Sequence, residues 1–242
     1  MIYFLIPVFN ELNNLDLLYA NLINAAKDKK CFYVFSDDGS TDGSQELIKK
    51  LFTNENFIVL GDGSNHGPGF SFNRGFDWIL HHHPGDDDCQ IVTVEADNTS
   101  DLSILNQMLV ISSLGFSLVL ASVYAQGGGF DKTSFIRKIL SSIANLFLRF
   151  FFDIKVQTLS SFYRIYDIAL IRAIKHKYNI VIEDSGFLCM IEILLKSIYV
   201  DAKIIEVPMV LYSARRKGKS KMKLFKTSWS YIKFLFTNKI TR

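Results

Sequence analysis

Cysteine and proline are scarce in this chain of 242 residues, which has three cysteines and four prolines. Three cysteines without a C-x-x-C pair support neither a disulfide framework nor a zinc site. The rarity of proline and the 49% share of hydrophobic residues exclude intrinsic disorder. The length is that of one large domain with a full hydrophobic core, or of two small ones.

A segment that spans a membrane is also not expected. The N-terminus has no basic region ahead of its first apolar run, so we expect no signal peptide. Residues 102–130 carry no charge, but asparagine, glutamine, serine and glycine interrupt them. A membrane-spanning helix has to satisfy its backbone groups internally, and this stretch instead favours a helix, a turn at Gly115 and a strand.

Positive charge is concentrated near the C-terminus. Residues 203–242 contain eleven Lys or Arg and one acid, whereas residues 1–202 contain sixteen Lys or Arg and twenty-three acids. A basic segment on an acidic body indicates an anionic partner. No nucleic-acid-binding motif accompanies the basic residues, so we expect no nucleic-acid partner.

Apolar runs of strand length alternate with helical stretches through the first half of the chain. The pattern predicts five strands, over residues 2–8, 31–36, 57–60, 90–94 and 117–123. It predicts four helices between them, over residues 12–26, 44–52, 70–80 and 102–114. Continuous apolar strands separated by helices indicate an α/β fold, with a mainly parallel sheet and helices on both faces.

Polar segments follow four of these strands, at residues 7–11, 37–44, 61–67 and 95–97. Ligands of open α/β sheets bind beyond the carboxyl ends of the strands. An alternative interpretation of residues 37–44 is a turn with a helix cap, and Glu11 alone is typical of a first helical turn. Four such segments at one edge are hard to explain by folding alone and indicate a binding site.

Glu95 and Asp97 are the sharpest chemical signal, because two carboxylates at a strand end can share one divalent cation. Mg²⁺ and Mn²⁺ prefer such oxygens and complete their coordination with substrate phosphates. The alternative is that Asp97 or Asp101 caps the following helix. The glycines of residues 61–69 do not have the G-x-G-x-x-G spacing, so a dinucleotide cofactor is not expected.

Taken together, the motifs resemble the GT-A glycosyltransferases of family 2, and most closely the dolichyl- or polyprenyl-phosphate mannosyl- and glucosyltransferases. The resemblance runs from residue 3 to about 222. Its motifs are P-V-F-N-E at 7–11, D-D-G-S-T-D at 37–42, N-H-G at 65–67 with N-R-G at 73–75, E-A-D at 95–97, S-S-F-Y-R at 160–164, G-F…E at 186–192, and E-V-P at 206–208 with R-x-x-G-x-S-K at 215–221.

The resemblance implies a nucleotide-diphosphate-sugar transferase fold over residues 1–222 and a GDP- or UDP-hexose donor. It also implies a role for each matching donor-site residue. Pro7, Phe9 and Glu11 would line the nucleoside pocket, and Asp38 would contact the base or ribose. Glu95 and Asp97 would hold Mg²⁺ or Mn²⁺, Ala96 and Asp97 would meet the ribose and diphosphate, and Arg215 and Lys221 would bind phosphates and serve catalysis with Asp97.

The acceptor implied by the resemblance is a polyprenyl phosphate. A phosphate is already anionic near neutral pH and needs positioning more than deprotonation, and we expect Arg137, Ser160, Arg164 and Ser220 to bind it. A sugar hydroxyl would need a carboxylate base, and Asp184 is the candidate for such a glycan acceptor.

Two C-terminal segments carry the expectation of membrane contact. Residues 135–152 form a basic, Phe-rich amphipathic pattern, for which a core helix is the alternative. The tail, residues 223–242, mixes aromatic residues with lysines and suits lipid headgroups. We expect peripheral attachment at the cytoplasmic face of the membrane, with a small membrane protein as a possible further partner.

Three positions depart from the family pattern. Glu95 replaces an aspartate, Val123 stands where relatives often have arginine, and Thr158 replaces the aspartate of a D-x-T-S motif. These departures motivate a third hypothesis from another class of protein, a catalytically inactive protein that binds a nucleotide or a lipid phosphate.

Overall fold

The computed structural model describes residues 1–83, 85, 89–132, 142, 145–146, 149–150, 152 and 154–218. The strands of this part are β1 (Ile2–Val8), β2 (Cys31–Asp37), β3 (Phe57–Leu60), β4 (Gln90–Thr93), β5 (Leu118–Ser122), β6 (Gly129–Asp131), β7 (Arg164–Asp167), β8 (Ile204–Pro208) and β9 (Val210–Tyr212). The helices are α1 (Leu15–Ala25), α2 (Ser44–Leu51), α3 (Pro68–His82), α4 (Leu105–Ser113), α5 (Ile168–Tyr178) and α6 (Cys189–Ile198).

One sheet of seven strands, in the order β3-β2-β1-β4-β7-β5-β8, organises the molecule. Only β7 runs against the others in this sheet, because it pairs antiparallel with both β4 and β5. β6 and β9 form a separate parallel pair. The mainly parallel sheet predicted from the sequence is confirmed, and each of its five predicted strands ends within one residue of the observed bounds.

Two hydrophobic clusters lie on opposite faces of the sheet. Side chains point alternately to the two faces of a strand, and in β1 Tyr3 and Leu5 join one cluster while Phe4 and Ile6 join the other. The first cluster contains apolar residues of α3, α5 and α6, and the second contains those of α1, α2 and α4. Helices therefore cover both faces, as predicted.

The long uncharged segment folds as the sequence indicates. A short 3-10 helix over Leu102–Ile104 leads into α4, and Gly115 adopts a positive φ of 93° before β5 begins. Within the described part of the chain, every helix is too short or too polar to cross a bilayer.

The differences from prediction lie mostly at helix starts. The first residues of the helices predicted over 12–26 and 102–114 form 3-10 turns. Helix α3 begins two residues earlier than predicted, because Pro68 occupies its first turn, where no backbone donor is needed. The tail, residues 223–242, and most of residues 135–152 lie outside the described residues, so their predicted membrane contact stays a prediction.

Candidate active site

The parallel register brings three polar loops to one edge of the sheet. The last residue of β1, Val8, lies beside Asp37 of β2, and Leu5 of β1 lies beside Thr93 of β4. The segments that follow these three strands are therefore neighbours beyond the same edge. This is the edge at which the sequence predicts the donor site.

The loop after β2 holds the loop after β1 in place. Three successive backbone N–H groups, of Asn10, Glu11 and Leu12, donate to the side chains of Ser40, Ser44 and Asp42 at 2.9–3.0 Å. The serines and the aspartate of residues 37–44 thus connect two strand ends. In the alternative interpretation they would only cap α2, although Asp42 does also accept from the Ser44 N–H at 3.0 Å.

Asp38 is buried, and both of its carboxylate oxygens hold the loop after β3. Its Oδ1 accepts from His66 N at 2.8 Å, and its Oδ2 accepts from Gly67 N and from Asn65 Nδ2, each at 2.9 Å. Asp38 therefore links the loop after β2 to the loop after β3. Its predicted contact to a base or ribose stays a prediction.

The expected nucleoside-pocket residues at the end of β1 and just after it lie at this edge. Pro7, Phe9 and Glu11 are all half-buried. Glu11 accepts a hydrogen bond from Asn14 Nδ2 at 2.6 Å. Ala96 is buried, with 3% of its surface exposed. All four stay predictions, since their positions alone do not assign a ligand.

Asp97 lies beyond the end of β4 with 8% of its surface exposed. Its Oδ1 accepts from Thr99 N at 3.0 Å and from Thr99 Oγ1 at 2.7 Å. Its Oδ2 is bound by the guanidinium of Arg216, with Nε at 2.6 Å. Helix capping, the alternative role, falls to Asp101, which accepts from Ser103 N at 3.1 Å.

Glu95 lies next to Asp97 and accepts from Ser100 Oγ at 2.7 Å. Withdrawal from solvent raises the pKa of the Glu95 carboxyl, and the neighbouring charge of Asp97 adds to this effect. Because burial and mutual repulsion disfavour two neighbouring negative charges, a cation bound between these carboxylates would stabilise them. The contact of Arg216 with Asp97 shows that this position accepts positive charge.

The donor set fits a hard divalent cation, provided that substrate completes it. Within the ranges the structure describes, no group of three or more His, Cys, Asp or Glu residues is arranged to hold a metal. Mg²⁺ is commonly bound by one or two carboxylates together with water and substrate phosphates. Glu95 and Asp97 are the residues that would hold it here.

Arg215 and Arg216 have different surroundings. Arg215, the predicted phosphate ligand, is exposed, and its guanidinium lies 3.7 Å from the centre of the Tyr212 ring. It lines a polar cleft of about 360 Å³ together with Asn21 and Asp101. Arg216 is not among the residues predicted from the sequence, although it stands directly after Arg215 at the start of the R-x-x-G-x-S-K motif.

Residues 212–217, here called the strap, cross the edge of the site. Tyr212 N donates to Thr99 O at 2.9 Å. Lys217 N donates to Asn14 Oδ1 at 2.8 Å, and Asn14 Nδ2 donates back to Lys217 O at 3.1 Å. The strap is thus anchored at both ends, with Arg216 between the two anchors.

A buried ion pair fixes the loop that carries Asp184. Glu192 and Lys196, one turn apart on α6, are 3% and 1% exposed and form an ion pair of 2.7 Å. Glu192 accepts from the backbone N–H of Glu183 and of Asp184, each at 2.8 Å, while Lys196 donates to carbonyls at the start of the same loop. The two oxygens of Glu192 and the ammonium of Lys196 therefore determine the path of residues 180–184.

The same loop packs closely against the start of α3. Gly69 N donates to Ser185 O at 2.9 Å, and a Cβ on Gly69 would lie 1.8 Å from the Asp184 carbonyl oxygen. Asp184 itself is half-buried, and burial raises the pKa of its carboxyl. A raised pKa suits a general base near neutral pH, so the predicted alternative role of Asp184 remains chemically reasonable.

Arg164 requires a correction. It was expected to bind the acceptor, but it is 0% exposed and lies inside the core. Its guanidinium donates to the carbonyls of Ser161, Leu159 and Met190 at 2.7–2.9 Å. Since these contacts are internal, we assign Arg164 a structural role.

Of the remaining predicted residues, the structure describes Ser160, which is half-buried. Arg137, Ser220 and Lys221 lie outside the described residues, and their predicted roles stay predictions. Of the departures from the family pattern, Thr158 forms a buried 2.6 Å hydrogen bond with Ser122 Oγ, which explains its presence structurally.

Comparison with known proteins agrees with this arrangement of strand ends and loops. The model of the Glycosyl transferase family 2 matches residues 3–177, well over half of the chain. The chain belongs to glycosyltransferase family 2. It is therefore an enzyme of the glycosyltransferase class, as predicted.

Three curated relatives of this family 2 glycosyltransferase span most of its length. Polyprenol monophosphomannose synthase of Mycolicibacterium smegmatis is 28% identical over 90% of this chain and 79% of that protein. Dolichol-phosphate mannosyltransferase of Pyrococcus furiosus is 26% identical over 96% of this chain and 62% of its own length. Undecaprenyl-phosphate mannosyltransferase of Micrococcus luteus is 26% identical over 90% of this chain and 86% of its own length.

Solved structures support the fold. Glucosyl-3-phosphoglycerate synthase from Mycobacterium tuberculosis, in complex with Mn²⁺, uridine diphosphate and glucosyl-3-phosphoglycerate, superposes with a TM-score of 0.65 at 15% identity. The match covers 98% of this chain and 79% of that one. This likeness confirms the GT-A fold.

The buried ion pair generates a stability prediction. Replacing Glu192 by Gln leaves the Lys196 ammonium buried without its counter-charge, so E192Q should lower the free energy of unfolding by about 3–5 kcal/mol. E183Q is the matched control, because the Glu183 carboxylate is 62% exposed and 3.7 Å from Lys196, and it should cost less than about 1 kcal/mol. Urea unfolding measures both. A loss below 1 kcal/mol for E192Q would show that the pair does not brace the loop.

Proposed function

We propose that this glycosyltransferase transfers a hexose, mannose or glucose, from GDP- or UDP-hexose to a polyprenyl phosphate. The proposal depends on Glu95 and Asp97, the adjacent carboxylates beyond the end of β4 that are suited to a cation and a diphosphate. The names of the three relatives, which all concern mannosyl transfer to a polyprenol, dolichol or undecaprenyl phosphate, support the choice of acceptor.

A divalent metal is part of the proposal. Held by Glu95 and Asp97, Mg²⁺ or Mn²⁺ would neutralise charge on the leaving diphosphate. The presence of Mn²⁺ in complexes of a GT-A neighbour supports this choice. Arg215 and, from its motif position, Lys221 would add positive charge on the same phosphates.

The proposed reaction is a displacement with inversion at the anomeric carbon. A phosphate oxygen of the acceptor forms the new bond to that carbon, while the bond from carbon to the donor diphosphate breaks and leaves a nucleoside diphosphate. The acceptor oxygen carries no proton that must be removed near neutral pH. No residue of the chain then has to act as a general base.

A second candidate is transfer to a hydroxyl of a surface glycan, with Asp184 as the base. The observation in its favour is the burial that raises the pKa of Asp184. Its loop is also rigidly held by Glu192 and Lys196, as a base must be. The third possibility, an inactive binding protein, is decided by whether any transfer is measured.

We also propose that the enzyme works at the cytoplasmic face of a membrane, where a polyprenyl phosphate is anchored. The basic, aromatic tail over residues 223–242 supports peripheral attachment. A small membrane protein is a possible further partner in the same proposal.

One transfer assay tests the proposed function. The protein is incubated with a panel of radiolabelled GDP- and UDP-hexoses, Mn²⁺ and either undecaprenyl phosphate or a surface glycan, and each mixture is extracted with organic solvent. We expect label in the organic phase for one donor, with the label released by mild acid. Label that appears only on a glycan acceptor would favour the second candidate, and transfer to neither acceptor would favour the inactive protein.

Asp97 should be essential for transfer. D97N keeps the size of the side chain but removes its charge, so activity should fall by at least about 10²-fold, the scale for one charge-stabilising group. D77N is the matched control, since Asp77 pairs with Lys175 on the surface of α3, and it should retain most activity. Circular dichroism checks the fold of both. Full activity of D97N, or of the wild type in EDTA, would contradict the metal-dependent reaction.

Asp184 separates the two acceptors, whereas Arg215, which would bind the donor phosphates, is expected to be needed with either one. With a phosphate acceptor, D184N should keep most of its activity, whereas R215A should lose about 10²-fold through loss of phosphate binding. K221A should behave like R215A. With a hydroxyl acceptor, D184N should itself lose at least about 10²-fold through loss of the base. The kcat of each variant with each acceptor distinguishes these outcomes.

A further inference from the structure

Arg216 makes the one ion pair formed by Asp97 within the described residues. Its guanidinium binds Oδ2, while Oδ1 is already engaged by Thr99. The pair is largely shielded from water, since the Asp97 side chain is 11% exposed and that of Arg216 is 24% exposed. Charge-assisted contacts of this kind are stronger than neutral hydrogen bonds.

The contact has an electrostatic reason. Asp97 is 8% exposed and lies two residues from a second carboxylate, Glu95, beyond the end of β4, so a nearby positive charge lowers the cost of burying its own charge. A divalent cation would satisfy this requirement, and it would need the same Oδ2. Arg216 and the cation are therefore alternatives at one oxygen.

The strap allows Arg216 to withdraw without loss of the surrounding structure. Tyr212 is anchored to Thr99 through the backbone, and Lys217 is anchored by two hydrogen bonds to Asn14. Neither anchor uses the Arg216 side chain. Its long side chain can thus exchange one anionic partner for another while the backbone of residues 212–217 stays in place.

We propose that Arg216 is a further residue of the donor site, which occupies the cation position on Asp97 in the metal-free protein and competes with the incoming divalent metal. The inference rests on the metal site of the proposed function. The displaced guanidinium remains beside the site, where the diphosphate of a metal-bound donor is the next available anion. Arg216 thus raises the metal concentration that is needed to fill the cation position on Asp97.

The test is a titration of the full chain with Mn²⁺ alone, without nucleotide, in which electron paramagnetic resonance measures the free ion. R216Q should bind Mn²⁺ about tenfold or more tightly than wild type, the scale for loss of one charge-assisted contact. R216K keeps the charge and should remain closer to wild type. K217Q is the matched control, because Lys217 is exposed and, among the residues that the structure describes, its hydrogen bonds to the site are those of its backbone; it should change the affinity less than about threefold.

Three outcomes would overturn the inference. Unchanged or weaker Mn²⁺ binding by a folded R216Q would show that Arg216 does not compete with the metal, and would leave the proposed metal site intact. An equal gain in R216Q and K217Q would assign the effect to net charge rather than to the contact. Failure of wild type and all variants to bind Mn²⁺ would also overturn it, because Arg216 would then have no metal to compete with before the donor arrives; the metal site completed by donor phosphates would still be tested by the transfer assay.

Discussion

The parallel pairing of β1 with β2 and β4 is the constraint on which the candidate site depends. Because these strands run in the same direction, the loops that follow them meet beyond one edge of the sheet. Side chains then join the loops to one another. Ser40, Asp42 and Ser44 hold the loop after β1, and Asp38 holds the loop after β3. Asp38, which the family pattern assigns to the base or ribose of the donor, is thus also part of the framework that positions the site.

This framework extends from the donor edge to the loop of Asp184. Asp38 holds residues 65–67, which lead directly into α3, and Gly69 at the start of α3 is in backbone contact with Ser185. Behind that loop, the buried Glu192–Lys196 pair fixes residues 180–184. A chain of hydrogen bonds and one ion pair therefore connects the end of β2 with the proposed acceptor side. Buried charges are costly unless paired, so their presence here is consistent with a need for fixed geometry.

The sequence predicted the first half of the fold well, because continuous apolar runs mark buried parallel strands and their polar ends mark one edge. It predicted side-chain positions less well where contacts between distant parts of the chain determine them. Arg164 is the clearest case: it begins β7 between Thr93 of β4 and Leu120 of β5, and this central position turns its side chain into the core. A motif identifies a residue but not the direction of its side chain. In the same way, the contact of Arg216 with Asp97 joins positions 119 residues apart, which no local pattern reveals.

The central claim is that a metal–nucleotide diphosphate binds at the carboxyl edge of the sheet. The most direct measurement is the broadening of backbone amide NMR signals by Mn²⁺ in the presence of UDP or GDP. The account predicts selective loss of signals from residues 9–12, 95–100 and 212–217. Signals from residues 29–30 and 201–203, which precede β2 and β8 at the opposite edge, should remain sharp. Broadening centred on that opposite edge, or uniform broadening without any centre, would contradict the account.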